Sequence, residues 1–143
     1  MDVTVTLSKD TIMPEVYKIT GHAGAKGGGM EQVSSTEDDI AVLESYFGEA
    51  VNNMADTMAW YGTLSSYDAD TAVFAFELPA NWKTAMQSAL EQAMELYAIN
   101  YICMQWFNLT KKDEVQYYAN VCTGQAAAAR RCLLERERPS RNN

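Results

Sequence analysis

The chain has 143 residues, 48% of them apolar and 10% aromatic, with a formal net charge of -8. That length suits one domain burying about two-thirds of its unfolded surface, and that composition is too hydrophobic for an intrinsically disordered protein. No apolar run reaches the roughly 18 to 20 residues that cross a bilayer, and MDVTVTLSKD lacks the basic-then-apolar order of a secretory signal, so a cytosolic setting without membrane contact is expected.

Residues 3 to 7, VTVTL, alternate Val3, Val5 and Leu7 with threonine, the period of a half-buried strand. A second short strand is expected over 15 to 20, EVYKIT, after Pro14. GHAGAKGGG, residues 21 to 29, holds five glycines and reads as a flexible hinge behind an extended N-terminal arm. Thr36 with Asp39 approximates a capping box, and Glu37 and Asp38 suit the first turn of a helix. The first long helix is therefore predicted from Thr36 to Gly62, with Ile40, Leu43, Phe47, Val51, Met54, Met58 and Tyr61 on its buried stripe.

Residues 63 to 70 read as a turn, and VFAFEL, residues 73 to 78, as a short strand able to join a small sheet under a helix. Pro79 stops it, Asn81 is the expected cap, and the longest helix is predicted from Trp82 to about Asn108. The apolar band of that helix is unusually broad towards Tyr101, Trp106 and Phe107, which implies either a central position or a further partner. A third helix opens near Thr110 and Lys111, with Val115, Tyr118, Ala119, Cys122, Ala126, Ala129 and Leu133 inward and Gly124 as a weak point. Pro139 closes it, and SRNN is a frayed end. The expected fold is thus α+β and mostly helical: three long amphipathic helices in a bundle, a small N-terminal strand arm, and a short strand between the first and second helices. The expected divisions are an arm and hinge over 1–30, a helical core over 31–138 and a basic tail over 139–143.

Few residues invite catalysis. The single histidine, His22, lies in the glycine-rich stretch, which disfavours zinc, di-iron and Ser-His-Asp sites. Lys26 lies between Ala25 and Gly27, so the G-x-x-x-x-G-K-[ST] phosphate loop is not met. Glu91 and Glu95, one helical turn apart, are the carboxylate pair to weigh for acid–base work against a plain solvated face. Cys103, Cys122 and Cys132 all fall in helical segments and read as packing thiols. No catalytic residue, cofactor or metal is assigned.

Charge is more informative. Residues 1 to 110 hold 4 basic and 15 acidic side chains, a net of -11, and residues 111 to 143 hold 7 basic and 4 acidic, a net of +3. Arg130, Arg131, Arg136, Arg138 and Arg141 form a series in which Glu135 and Glu137 are interspersed. It is too dilute for a nucleic-acid patch but suits either a helix end or docking onto a partner's carboxylates.

STEDDIAVLESYFGEAVNNM, FAFELPANW, YAINYICMQWF, and KKDEVQYYANVC leading to ARRCLLERERPSR together resemble the small head-tail connector, or head-completion adaptor, proteins of tailed bacteriophages and prophages, over about residues 33 to 141. The resemblance implies a non-enzymatic helical protein that assembles as a ring and links portal to tail, in the virion or the host cytoplasm. Its partners would be further copies of itself and portal or tail proteins. The strand arm departs from the simplest all-helical pattern and invites strand exchange with a neighbour. Tyr101, Trp106 and Phe107 are the candidate subunit interface, and the five arginines the candidate docking residues. The rival expectation is a small bacterial binding or regulatory module with a ligand or peptide groove between helices.

Overall fold

The computed structural model describes residues 1–21, 33–68 and 70–138, the first five of the second stretch through their backbone only. The chain is α+β. In order come strand β1 (Asp2–Ser8), helix α1 (Lys9–Thr20), helix α2 (Val33–Thr57), strands β2 (Gly62–Tyr67) and β3 (Thr71–Glu77), a 3₁₀ turn (Thr84–Met86), and helices α3 (Gln87–Thr110) and α4 (Lys112–Leu134). The three long helices are present, with a fourth, shorter one and a three-stranded antiparallel sheet in the order β1-β3-β2.

The alternation in β1 does what its period requires. Val3, Val5 and Leu7 face the core opposite Phe76, Phe74 and Ala72 of β3, forming three cross-strand apolar pairs on one sheet face. The N-terminal strand is therefore part of this chain's own sheet, paired with the strand that was expected to be able to join it. The Met1 ammonium donates to the Leu78 carbonyl (2.7 Å), extending the ladder by one residue.

Residues 15 to 20 form helix, where a second strand was expected. Ile12, Met13, Val16 and Tyr17 are buried at spacings of one, three and one, which is the helical period. The Ser8 hydroxyl caps α1 by accepting from the Asp10 amide (3.2 Å), and Pro14, at the exposed side, costs one backbone bond without breaking the helix. Gly21 ends it with φ +84°, its amide donating to the Tyr17 carbonyl, a conformation in which glycine carries no Cβ penalty.

Helix α2 begins at Val33, three residues before the expected cap, so Thr36 lies inside its first turn. Nothing between residues 30 and 36 is Gly or Pro, and the helix extends back accordingly. Its inward stripe is as expected as far as the helix runs: Leu43, Phe47, Val51 and Met54 are buried and Ile40 partly so, while Met58, buried, and Tyr61, partly buried, follow in the turn beyond its end. The helix ends at Thr57, and the segment expected to be a turn is β2, an exposed edge strand. Gly62 is needed there because a Cβ would overlap the Ala75 carbonyl and the Phe76 ring.

Helix α3 is the central element, packing on α1, α2, α4 and β1. Every residue from Tyr97 to Cys103 is buried, so the helix is enclosed on all sides there. The breadth of its apolar band is thereby accounted for by neighbours within the chain. Each of the other long helices has α3 as its principal partner, so the arrangement is a hub rather than a closed bundle.

The start of α3 also differs from expectation. Asn81 and Trp82 precede the helix, and Trp82 forms an antiparallel bridge with Arg136. The Lys83 amide donates to the Glu135 carbonyl (3.2 Å) and the Glu137 amide to the Asn81 carbonyl (2.8 Å). The fully buried Trp82 indole donates to the Cys132 carbonyl (2.8 Å). The segment after α4 is thus fixed to the body through residue 137.

Trp82→Phe removes the donor, leaving the Cys132 carbonyl with only the long bond from the Glu135 amide (3.4 Å), and puts a smaller ring in a fully buried place, so it should cost about 1–3 kcal/mol in urea unfolding. Gly62→Ala should cost about 1–3 kcal/mol through overpacking. Gly124→Ala, where a Cβ meets nothing within 4 Å, should stabilise α4 by about 0.4–1 kcal/mol.

Candidate protein interface

The residues expected at an interface separate into three groups. Tyr101 and Phe107 belong to the core, with 7% and 8% of their surfaces exposed. The Tyr101 hydroxyl accepts from Asn53 Nδ2 (2.9 Å) and Gln105 Nε2 (3.0 Å), and its ring stacks on Tyr97 at 6.2 Å. Tyr97 lies one turn away with its phenol beside Thr57, so both tyrosines face α2, and the Tyr101–Asn53 bond fastens α3 to it. Phe107 stacks on Tyr118 at 5.2 Å across the α3–α4 corner. These contacts correct the assignment of Tyr101 and Phe107 to a subunit surface: their rings are consumed within the fold. Trp106 is half-buried beside them, packed against the core.

The arginines form the second group. Arg130 is half-buried and Arg131 exposed in the last turns of α4, where cations oppose the helix dipole. Arg136 Nη1 donates to the carbonyls of Leu133 (2.8 Å) and Glu135 (2.9 Å), so it caps its own helix. Arg138 is exposed, and Arg141 lies outside the described residues, as do His22, Lys26 and Pro139.

The third group was not anticipated. Trp60 is 94% exposed, Leu109 66%, Tyr117 62% and Leu134 56%. The signal for Trp60 was legible: it is a bulky apolar residue off the α2 stripe, between Met58 and Tyr61, where periodicity gives it no inward place.

Acidic and basic side chains occupy different helices. Between Lys26 and Lys83 there is no cation, and α2 exposes Asp38, Glu49 and Asp56, while the C-terminal part of α4 and the segment after it present Arg130, Arg131 and Arg138. Glu91 and Glu95 are half-buried on α3. Gln87 Nε2 donates both to Glu91 (2.9 Å) and to the Thr4 carbonyl (2.9 Å), which ties Glu91 to a polar cover over β1. Burial, with the Glu91 carboxylate one turn away, raises the Glu95 carboxyl above its ordinary range.

Among the described residues, no group of three or more His, Cys, Asp or Glu side chains could hold a metal ion, and no helix is long and apolar enough to cross a membrane. The chain matches no family model, and neither the curated proteins nor the solved structures contain a significant match to it.

All three cysteines are free and buried. Burial pushes the Cys103 and Cys122 thiols up to about 12, and that of Cys132 up as well, where Arg131 partly offsets it. The Cys122 thiol points at the Tyr97 carbonyl (3.7 Å). Burial, followed by the Glu44 carboxylate, likewise raises the Tyr17 phenol to about 12. Raised folded values mean that above pH 9 the unfolded chain releases protons which the folded chain retains, so stability falls with rising pH. Melting temperature should decline steadily from pH 9 to 11, and a thiol-reactive chromogenic disulfide at pH 7.5 should label far less than one cysteine per native chain but three after denaturation.

Proposed function

We propose that this protein is a non-enzymatic assembly protein that joins with copies of itself and with portal or tail proteins, as a ring-forming head-tail connector of a tailed bacteriophage or prophage. The observation that carries the reading is the separation of charge between two helices that share one hub. An acidic flank on α2 and an arginine-bearing flank on α4 are complementary surfaces on a single molecule, and a contact that pairs two different patches repeats from copy to copy. Rings arise when that repetition closes. The exposed Trp60, Leu109, Tyr117 and Leu134 supply apolar area that a lone chain leaves in water. The resemblance to connectors of the stretches from STEDDIAVLESYF to ARRCLLERERPSR supports the same reading. The host cytoplasm during assembly, and afterwards the virion, are the locations it implies.

Charged flanks make the association salt-sensitive. Sedimentation velocity should show mass rising with protein concentration at 50 mM NaCl and falling back at 500 mM. The double variant Arg130→Glu/Arg131→Glu should weaken association about tenfold or more, with partial recovery on adding Glu49→Lys and Asp56→Lys. A strictly monomeric chain at all concentrations, which also ignores purified portal and tail proteins, would rule the reading out. Flanking genes for portal, capsid and tail proteins would strengthen it.

The open groove between α3 and α4, lined by Met86, Ala89, Ala93, Leu96 and Ala128 among others, favours one rival, a peptide-binding module. Saturable binding of a peptide there by a chain that never self-associates would select it.

A further inference from the structure

We infer that the guanidinium of Arg141 sits between the carboxylates of Asp2 and Glu77, so that the residues after α4 form a strap across one end of the sheet. The contact lies within one chain and stands whether or not copies of the chain associate.

Asp2 and Glu77 are directly opposite each other across β1 and β3, and both are exposed. Cross-strand partners share one face of a sheet with Cβ atoms about 4.5–5.5 Å apart, and like charges placed so repel. No ion pair joins either carboxylate to a described residue, and the Met1 ammonium nearby is bonded to the Leu78 carbonyl (2.7 Å). The two acids line a depression of about 470 Å³ together with Thr4, Trp60 and Thr63 among others, and no lysine or arginine lines it. The place lacks a cation.

The course of the chain after α4 leads to it. Arg136 bridges Trp82 in the antiparallel sense, and the Glu137 amide donates to the Asn81 carbonyl (2.8 Å). Residue 138 and those after it therefore set out back along the path from Asn81 towards Glu77. Glu77 precedes Trp82 by five residues and Arg141 follows Arg136 by five, so continued alignment brings Arg141 level with Glu77. Pro139 then falls beside Pro79, where neither has an amide to give a ladder and the fixed φ of each favours an extended course.

The other cations of this region are placed elsewhere. Arg136 is bonded to the carbonyls of Leu133 and Glu135, Arg138 comes level with Ala80, and Lys83 lies on the far side of the bridge. A guanidinium suits the position because its planar fork can donate to both carboxylates at once. These groups face water, so the closure is weak and sensitive to salt. A partner bringing a cationic segment to this end of the sheet has to displace Arg141 first.

Trp60 lines the depression and reports on it. In ¹H–¹⁵N spectra of the full-length protein, with the indole signal assigned through Trp60→Phe, Arg141→Gln should move the Trp60 indole resonance by more than a line width. The signals of Trp82 and Trp106 should stay in place, and Arg138→Gln should have far less effect. The ¹H–¹⁵N NOE of the Arg141 amide should mark an ordered residue in wild type and fall by half or more in Asp2→Asn/Glu77→Gln, and likewise in wild type at about 500 mM NaCl. Both readouts should be unchanged on tenfold dilution, with melting temperature as the control for folding.

An Arg141 amide equally mobile in wild type and the carboxylate variant, or a Trp60 resonance indifferent to Arg141→Gln, overturns the inference. Arg138→Gln matching Arg141→Gln overturns the alignment on which it stands. Loss of the contact on dilution overturns it too, since the arginine would then lie on the sheet of another copy. None of these outcomes bears on whether the chain self-associates through its charged helices, which sedimentation decides separately.

Discussion

The burial of α3 on every side between Tyr97 and Cys103 is the constraint on which the rest of the structure depends. A helix enclosed in this way has no solvent-facing stripe for polar side chains, so each polar group on it needs a partner inside the chain. Asn100 returns its amide to the Leu96 carbonyl (2.7 Å), and Tyr101 receives Asn53 and Gln105. These bonds set how α2 lies on the hub. They also explain why the sheet can be so small: β1 and β3 need only close one side of a core whose other sides are helical.

Legibility in the sequence followed how local each cause was. The stripes of α2 and α4 were readable because Leu43, Phe47, Val51 and Met54, and likewise Cys122, Ala126, Ala129 and Leu133, repeat at the helical period. The β1 alternation was equally plain. What misled was short range. Pro14 and the order E-V-Y-K-I-T imitated a strand, although Ile12, Met13, Val16 and Tyr17 carry a helical stripe across the proline. Strand β2, GTLSSY, has almost no apolar content because an edge strand with a mostly exposed surface requires little. Trp82, expected to open a helix, is held by a carbonyl 50 residues away, which no local pattern announces.

The candidate interface was less readable than the fold for a related reason. How many neighbours a helix has is not written in its own residues. Tyr101 and Phe107 looked surplus only until α1, α2, α4 and β1 were seen to surround α3. The arginine series is visible in the sequence, but Arg136 capping its own helix, which leaves Arg131 and Arg138 outward, depends on the course of the chain after α4. Trp60 shows the converse: an indole off the α2 stripe has no inward place, and periodicity alone carries that signal.

Both margins of the fold are closed by distant partners. Met1 bonds a residue 77 positions away, and the segment after α4 is clasped by residues 81 to 83. A chain emerging from a ribosome therefore displays β1 with its apolar face uncovered until β3 follows, and Trp82 waits for the end of α4. The longest-range closures of this fold thus wait for the last residues to be made, and any assembly surface built on the α3–α4 pair comes into being only when synthesis of α4 is nearly complete.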